Sequence, residues 1–288
     1  MVIGRCKDDV GEMVSNMIIL SEDDNKNKIL GNSPNIINSD IIFNGSGNVI
    51  YFEDKVNLVN SRLLFDGNNS VIYLKQGNQS LNININNDSV CHMGQHNYYK
   101  QPLRIILAEQ KNCFIGDNCL FSSDITIRNS DAHLLYDCES KKRINLPKSI
   151  CIGDHVWICQ GTTVLKGTMI DSGSVIGARS VVAGKSIKHN TSWAGNPARN
   201  KKSNIFWDGT CVNCFFEKDT ELSMDYSEFL AGCRDGYNDD FWIYEFKKEE
   251  ELSWKKLEED ISHGDVIDKC NALLELGKIK MKNRFVHM

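Results

Sequence analysis

The chain has 288 residues, 41% of them hydrophobic and 25% charged, with a formal net charge of −5, a composition that suits one extended domain with an appendage. The negative balance excludes a global electrostatic pull towards nucleic acid or an acidic membrane surface, and no apolar run approaches the ~18 residues of a membrane span. The first residues lack the basic and apolar stretches of a secretory signal, and the eleven scattered cysteines, an odd number, are expected to be reduced thiols in a cytoplasmic protein.

Residues 1 to about 35 show no period and are expected to be a leader that caps the first coil of a stack. Residues 36–200 read as the stacked coils themselves. Ile41 to Phe52 aligns with Leu63 to Leu74 at an offset of 22, as in two coils of a repeat architecture that each carry a few extra loop residues. Their many Asn and Gly residues suit tight corners. Leu81 to Ile85 alternates apolar residues with Asn, the signature of a half-buried strand. Leu103 and Leu107 stand 18 residues before Phe121 and Ile125, the spacing expected of one full coil.

From Ile152 to Ile187 the period becomes strict. Six units of six residues begin with Ile152, Ile158, Val164, Ile170, Ile176 and Val182, each with Val, Thr or Ser at its fifth position. A hexapeptide period specifies a parallel β-helix, whose triangular coils cannot bury an inner face without neighbours. The ladder is expected to extend backwards through Leu146 with Ile150, and before them through Ile115, Phe121 and Ile127. Between Ile127 and Leu146 lie 19 residues where the period allows 6, so a loop of 13 is pushed out of the prism. That loop contains Asp131, Ala132 and His133.

After Pro197 the character changes. Residues 201–288 are expected to be a partly helical extension. Trp254, Leu257, Ile261, Val266, Ile267, Cys270, Leu273 and Leu274 fit one or two amphipathic helices, broken near His263 and Gly264 and packed on the prism or on a neighbouring subunit.

Three motifs then carry a resemblance. Ile127-Arg-Asn-Ser-Asp-Ala-His133, Ile152-Gly-Asp-His-Val-Trp157-Ile and Trp193-Ala-Gly-Asn-Pro-Ala-Arg199 stand in this order on the ladder. The stretch from Ile115 to Arg199 is similar to the hexapeptide-repeat acyltransferases, and within them resembles the branch that O-acetylates sugars and surface polysaccharides, including bacterial polysialic acid O-acetyltransferases. The resemblance implies an all-β fold, a left-handed parallel β-helix with a C-terminal α-helical extension. It also implies acetyl-CoA as donor, no metal, and a homotrimer with active sites between neighbouring prisms.

Acetyl transfer to a hydroxyl needs a base, and an imidazole, which titrates near neutrality, suits the task. His133 is the expected catalytic base. Asp131 is expected either to orient its ring, to touch the acceptor or simply to form a turn. By the resemblance, Trp157 lies beside the acetyl group and the acceptor, whereas His155 is expected to be a surface residue. The donor is a long arm ending in phosphoryl groups. Gly161, Ala178 and Gly195 leave room for it, and Gly161 lies where backbone N–H groups are expected to hold the oxyanion. Trp193 and Pro197 are expected at its adenine end. Lys185, Lys188, Arg199, Lys201 and Lys202 are expected near the phosphates, where the final coil ends.

Lys141, Lys142 and Arg143, with Arg104 and Arg128, favour an anionic acceptor such as a sialic or uronic acid. Transfer to an amino sugar, or a catalytically silent binding module, are the alternatives. Cys211 and Cys214 form a single CxxC without a second pair, too little for zinc. His92 and His96 are spaced like helical ligands, but their surroundings read as strand and turn. A zinc enzyme of the γ-carbonic anhydrase type would need three histidines, and only His133 and His155 are placed for it.

Overall fold

Alternate burial along short strands, repeated coil after coil, gives the chain its shape. The computed structural model describes residues 13–14, 17–233, 242–245, 252–262, 264–279 and 285–286. Among them, three parallel faces wind into seven three-sided coils and a two-sided eighth. The first face runs from Lys28–Gly31 to Ser186–Ile187, the second from Asn35–Ile37 to Thr191–Ala194, and the third from Asp40–Phe43 to Val181–Ala183. This is the parallel β-helix that the period predicts.

Inside the strict repeat, Ile152, Ile158, Val164, Ile170, Ile176 and Val182 are buried and stack in one core. Their spacing needs no side chain at the corners larger than Thr, and Thr162, Thr168, Ser174 and Ser180 are buried there. In the upper coils the offset of 22 appears as register: Ile41 on Leu63, Phe43 on Phe65, Val49 on Val71 and Tyr51 on Tyr73. The wider section is filled by stacked rings, Phe43 on Phe65 and Tyr99 on Phe121.

Two alignments of the ladder differ from expectation. Ile105 stacks on Ile127, so the coil from Leu103 keeps the 22-residue spacing of the upper coils and does not place Leu103 above Phe121. Leu146 is 58% exposed and is no rung of the ladder. The strand Thr126–Arg128 ends the fifth coil and Ile150–Ile152 opens the sixth. Asp154 accordingly meets Asp117 across 37 residues where the next coil takes 18, and the excursion from the prism is six residues longer than the period suggests.

Of the leader, residues 1–12 and 15–16 lie outside the described residues; Met17–Glu22 pairs antiparallel with Lys28–Gly31, at the top of the first face. At the other end, Arg199–Ser203 folds back antiparallel on Thr191–Ala194. Among the described residues four α-helices follow, α1 (Glu217–Leu222), α2 (Tyr226–Cys233), α3 (Trp254–Ser262) and α4 (Val266–Lys278). The expected break near His263 falls on a residue outside the described ones, between α3 and α4. Leu257, Ile261, Cys270, Leu273 and Leu276 pack on the outer side of the first face, against Val49, Tyr51, Val71, Tyr73 and Phe114. The first face is thereby apolar on both sides, which explains why its strands read as unbroken apolar runs. Among the described residues no helix is long and apolar enough to cross a membrane.

Candidate functional site

The excursion between the fifth and sixth coils is a built structure, held by polar groups because it has no interior to stack on. Asn129, buried at its root, donates to the carbonyls of Ala108 and Lys111 at 3.2 and 2.7 Å and accepts from Ala108 N–H. Glu109 accepts from Ser130 at 2.8 Å and takes both arms of the Arg143 guanidinium at 2.6 and 3.0 Å. Such a fork-on-carboxylate pair fixes geometry as well as charge, and Arg143 holds the Glu109 carboxyl below the usual range. Further out, Tyr136 faces Arg143 in a short antiparallel bridge, and Asp137 caps the tip by accepting from Ser140.

Asn145 is the centre of this network. Its amide donates to the His133 carbonyl at 2.7 Å and to the Asp131 carboxylate at 3.1 Å, and its oxygen accepts from Leu135 N–H. Lys166, reaching from the sixth coil, binds Asp131 at 2.5 Å and the Asn145 carbonyl at 3.2 Å. Lys166, then Asn145, keep the Asp131 carboxyl below its ordinary range. The main chain at His133 is therefore fixed. Its imidazole is exposed and has no hydrogen bond or ion pair among the described residues. It lines a pocket of about 300 Å³ together with Ile106, Arg128, Ser130 and Asp131.

The predicted acceptor residues separate into two kinds. Asp131 and Arg143 are ion-paired with Lys166 and Glu109 of the neighbouring coils and tether the loop to the prism, so Asp131 does not orient the His133 ring. Lys141 and Lys142 are exposed at the tip. Arg128 points its Nε at the Ser130 carbonyl, 2.7 Å away, and stays at the pocket.

Trp157 belongs to the second face, stacked between Leu120 and Val175, so one chain does not bring it to His133. Its ring lies 5.7 Å from that of Trp207. His155 is a correction: it is 2% exposed and stacked between Trp207 and Trp242, with ring centroids 3.9 and 3.8 Å away. Its Nε2 meets the Trp207 carbonyl, and the Trp207 indole donates to the His155 carbonyl. Burial lowers its pKa to about 4, so the ring is neutral at physiological pH. The sequence showed no partner for His155 because Trp207 and Trp242 lie 52 or more positions away in the chain.

The donor residues lie on the last coils at more than one corner. Gly161, Ala178 and Gly195 share the corner between the second and third faces, where Arg179 N–H donates to Gln160. Gly161 and Gly195 have φ of +71° and +108°, a region where glycine is at ease. The Gly161 N–H donates to the Ser123 carbonyl at 2.9 Å, so the N–H groups that would hold an oxyanion at this corner are those of its neighbours. Trp193 is half-buried against the core. Pro197 is exposed after a cis peptide bond, and Arg199, Lys201 and Lys202 project from the returning strand. Lys185 stands apart from them, at the corner between the third and first faces. Cys159 is half-exposed and burial pushes its thiol up to about 11. Cys211 and Cys214 are free and exposed. His92 lies on a strand, buried between Tyr73 and Phe114.

Sequence reasoning missed Glu109, Asn145 and Lys166. Each is a common polar residue whose role depends on contacts across 14 to 35 positions, and no local pattern marks it.

No family model matches the chain. It is 42% identical over 105 residues to a polysialic acid O-acetyltransferase of Escherichia coli O1:K1 / APEC, covering 36% of this chain and 34% of the relative. It is 43% identical over 122 residues to a polysialic acid O-acetyltransferase of Neisseria meningitidis, covering 42% and 57%. The chain thus matches about a third and somewhat over half of these curated relatives' lengths. Among solved structures it is similar to the polysialic acid O-acetyltransferase OatWY, with TM-score 0.56, 26% identity and coverage of 66% of this chain and 90% of that one. The polySia-specific acetyltransferase NeuO gives TM-score 0.54 and 26% identity, covering 72% and 97%.

Proposed function

We propose that this chain is an acyltransferase that moves an acetyl group from acetyl-CoA to a hydroxyl of an anionic sugar in a bacterial surface glycan, polysialic acid being the favoured acceptor. The observation that carries the reading is the free His133 imidazole, fixed at its main chain by Asn145 and facing a pocket that Arg128 also lines. The similarity to polysialic acid O-acetyltransferases supports both the reaction and the acceptor.

In this mechanism a nitrogen of His133 takes the proton of the acceptor hydroxyl as its oxygen attacks the acetyl carbonyl. The new C–O bond forms, the C–S bond breaks, and the thiolate leaves and is protonated from the imidazolium or solvent. Trp157 shields the thioester, and Gly161, Ala178, Trp193, Gly195 and Pro197 line the donor's arm. Arg199 and Lys202, with Lys185 at the neighbouring corner, face its phosphates. Transfer is direct, because a thiol held at about 11 is protonated at neutral pH and Cys159 is a poor nucleophile.

His133 stands on the excursion that follows the third face and Trp157 on the second face, which supports a site completed between copies of the chain in a homotrimer. The loop supports this reading: Leu134, Leu135, Tyr136, Ile144 and Leu146 are each 54 to 65% exposed in the single chain, an apolar surface of the kind that subunit contacts cover.

The test is thiol release from acetyl-CoA with polysialic acid and with neutral capsular oligosaccharides. Acetylation of the anionic polymer, retained by Cys159→Ala and lost by His133→Ala, is expected. Activity that survives His133→Ala and disappears in Cys159→Ala would require a covalent route instead.

A further inference from the structure

We propose that the third face carries a second carboxylate-binding subsite, formed by Arg62, Asn82 and Arg104, which takes an acidic residue of a polymeric acceptor several units away from the one at His133. The subsite rests on the proposed acetyl transfer and names the form of its acceptor. Arg62, Asn82 and Arg104 occupy consecutive rungs of one outward column: Asn82 is in register with Arg62 on one side and with Arg104 on the other. With about 4.8 Å between rungs, the two arginines are set roughly 10 Å apart with an amide between them.

These three residues, with Asn84, Ile105 and Ile106, line a cleft of about 340 Å³. Ile106 also lines the His133 pocket, and Arg128 is the next rung beyond it. The cleft and the pocket therefore adjoin at Ile106, and Arg62, Arg104 and Arg128 stand on coils two, four and five along them.

What separates this row from an ordinary solvated face is how charge is distributed along it. The side chains of Arg62, Asn82 and Arg104 are exposed and make no hydrogen bond or ion pair among the described residues. The acids close to the cleft and the pocket are occupied: Glu109 by Arg143, Asp131 by Lys166, and Asp66 by the amides of Asn44 and Asn84. Asp40, in register with Arg62 on its far side, ends the basic row. Free guanidinium forks match carboxylates in two-point contact, and the Asn82 amide can donate to a hydroxyl or acyl oxygen between them. Arg62 stands three rungs from Arg128, about 14 Å along the prism. A single sugar cannot reach from one to the other, but a short run of a carboxylated polymer can.

The experiment measures equilibrium binding and initial transfer rates with sialic acid oligomers of increasing length, for the wild type, Arg62→Gln, Arg104→Gln, the double variant and His133→Ala. Wild-type affinity and kcat/KM are expected to rise with length and then level off. Each arginine substitution is expected to lower affinity for long oligomers about tenfold, the size of one charged contact at a partly exposed site. Rates of Arg62→Gln with the shortest acceptor should not change. His133→Ala should lose transfer and keep the length-dependent binding. Flat length dependence in the wild type, or a double variant that binds long oligomers as tightly as the wild type, would overturn the subsite. Absence of transfer to every acceptor overturns the proposed acetyl transfer alone, because the binding series still tests the subsite without turnover.

Discussion

The excursion at 129–149 and the coils at 152–187 are adjacent in the chain and opposite in construction. The coils are held from inside, by aliphatic residues that stack with no polar partner. The excursion has almost no interior; amides, two ion pairs and a short bridge hold it, and its apolar residues face outward. A hydrophobic ladder tolerates imprecision, since burial has no direction. A polar network has one arrangement that satisfies it. The molecule thus places its candidate base where geometry is specified best, and the largest test of that contrast is His133→Ala, expected to lower transfer about 10² to 10⁴-fold with the melting temperature unchanged. A parallel loss of stability would mean that His133 helps to build the loop.

Next comes Asn145→Ala, which touches no substrate in the proposed site and removes the hinge of the network. Transfer should fall about tenfold to a hundredfold, as expected when a reacting group is displaced by an ångström, and amide protection should drop in 129–149 alone. Ile176→Ala should do the reverse. It opens a cavity in the ladder and costs about 2–5 kcal/mol of stability, read by denaturant unfolding, while transfer per folded molecule stays the same. Equal behaviour of the two variants would erase the distinction between coil and excursion.

That distinction also explains what the sequence made legible. Ile152 to Val182 repeat every six residues because each occupies the same interior position, so the period is the fold. His133 stood out because the period stops before it. Leu146 misled because an apolar residue at the right spacing reads as a rung, whereas here it belongs to the outward surface of the loop. His155 was read as a surface residue because nothing near it in the chain marks a partner; the return of Trp207 and Trp242 buries it. Contacts of that range leave no local pattern, and neither do those of Glu109 and Asn145.

A smaller effect is expected at the tip of the loop. Lys141→Gln with Lys142→Gln should raise the acceptor KM a few-fold and leave that for acetyl-CoA unaltered, since both ammonium groups are exposed and screened. Adding Arg143→Gln should do more than weaken acceptor binding, because the Glu109 fork is then broken and the loop loosens. If the triple variant behaved like the double one, the fork would not support the loop.

The gentlest probe is pH, which should dismantle the two polar attachments separately. The Glu109 and Asp131 carboxyls are held low in the folded chain by Arg143 and Lys166. Their contribution is present above the unfolded carboxylate values near 4 and is lost as pH falls through the lower folded values. His155 works in a higher window. Its folded value of about 4 lies below the ordinary one near 6.5, so the ring binds the extra proton when it is released from the stack. The clamp of Trp207 and Trp242 therefore weakens as pH falls from about 6.5 towards 4. Hydrogen exchange followed along the chain should show protection falling first around His155 and Trp207, and only at lower pH in 129–149, with the interior of 152–187 protected throughout. Simultaneous loss at all three places would mean that loop, clamp and coils unfold as one unit and that the contrast between them has no energetic content.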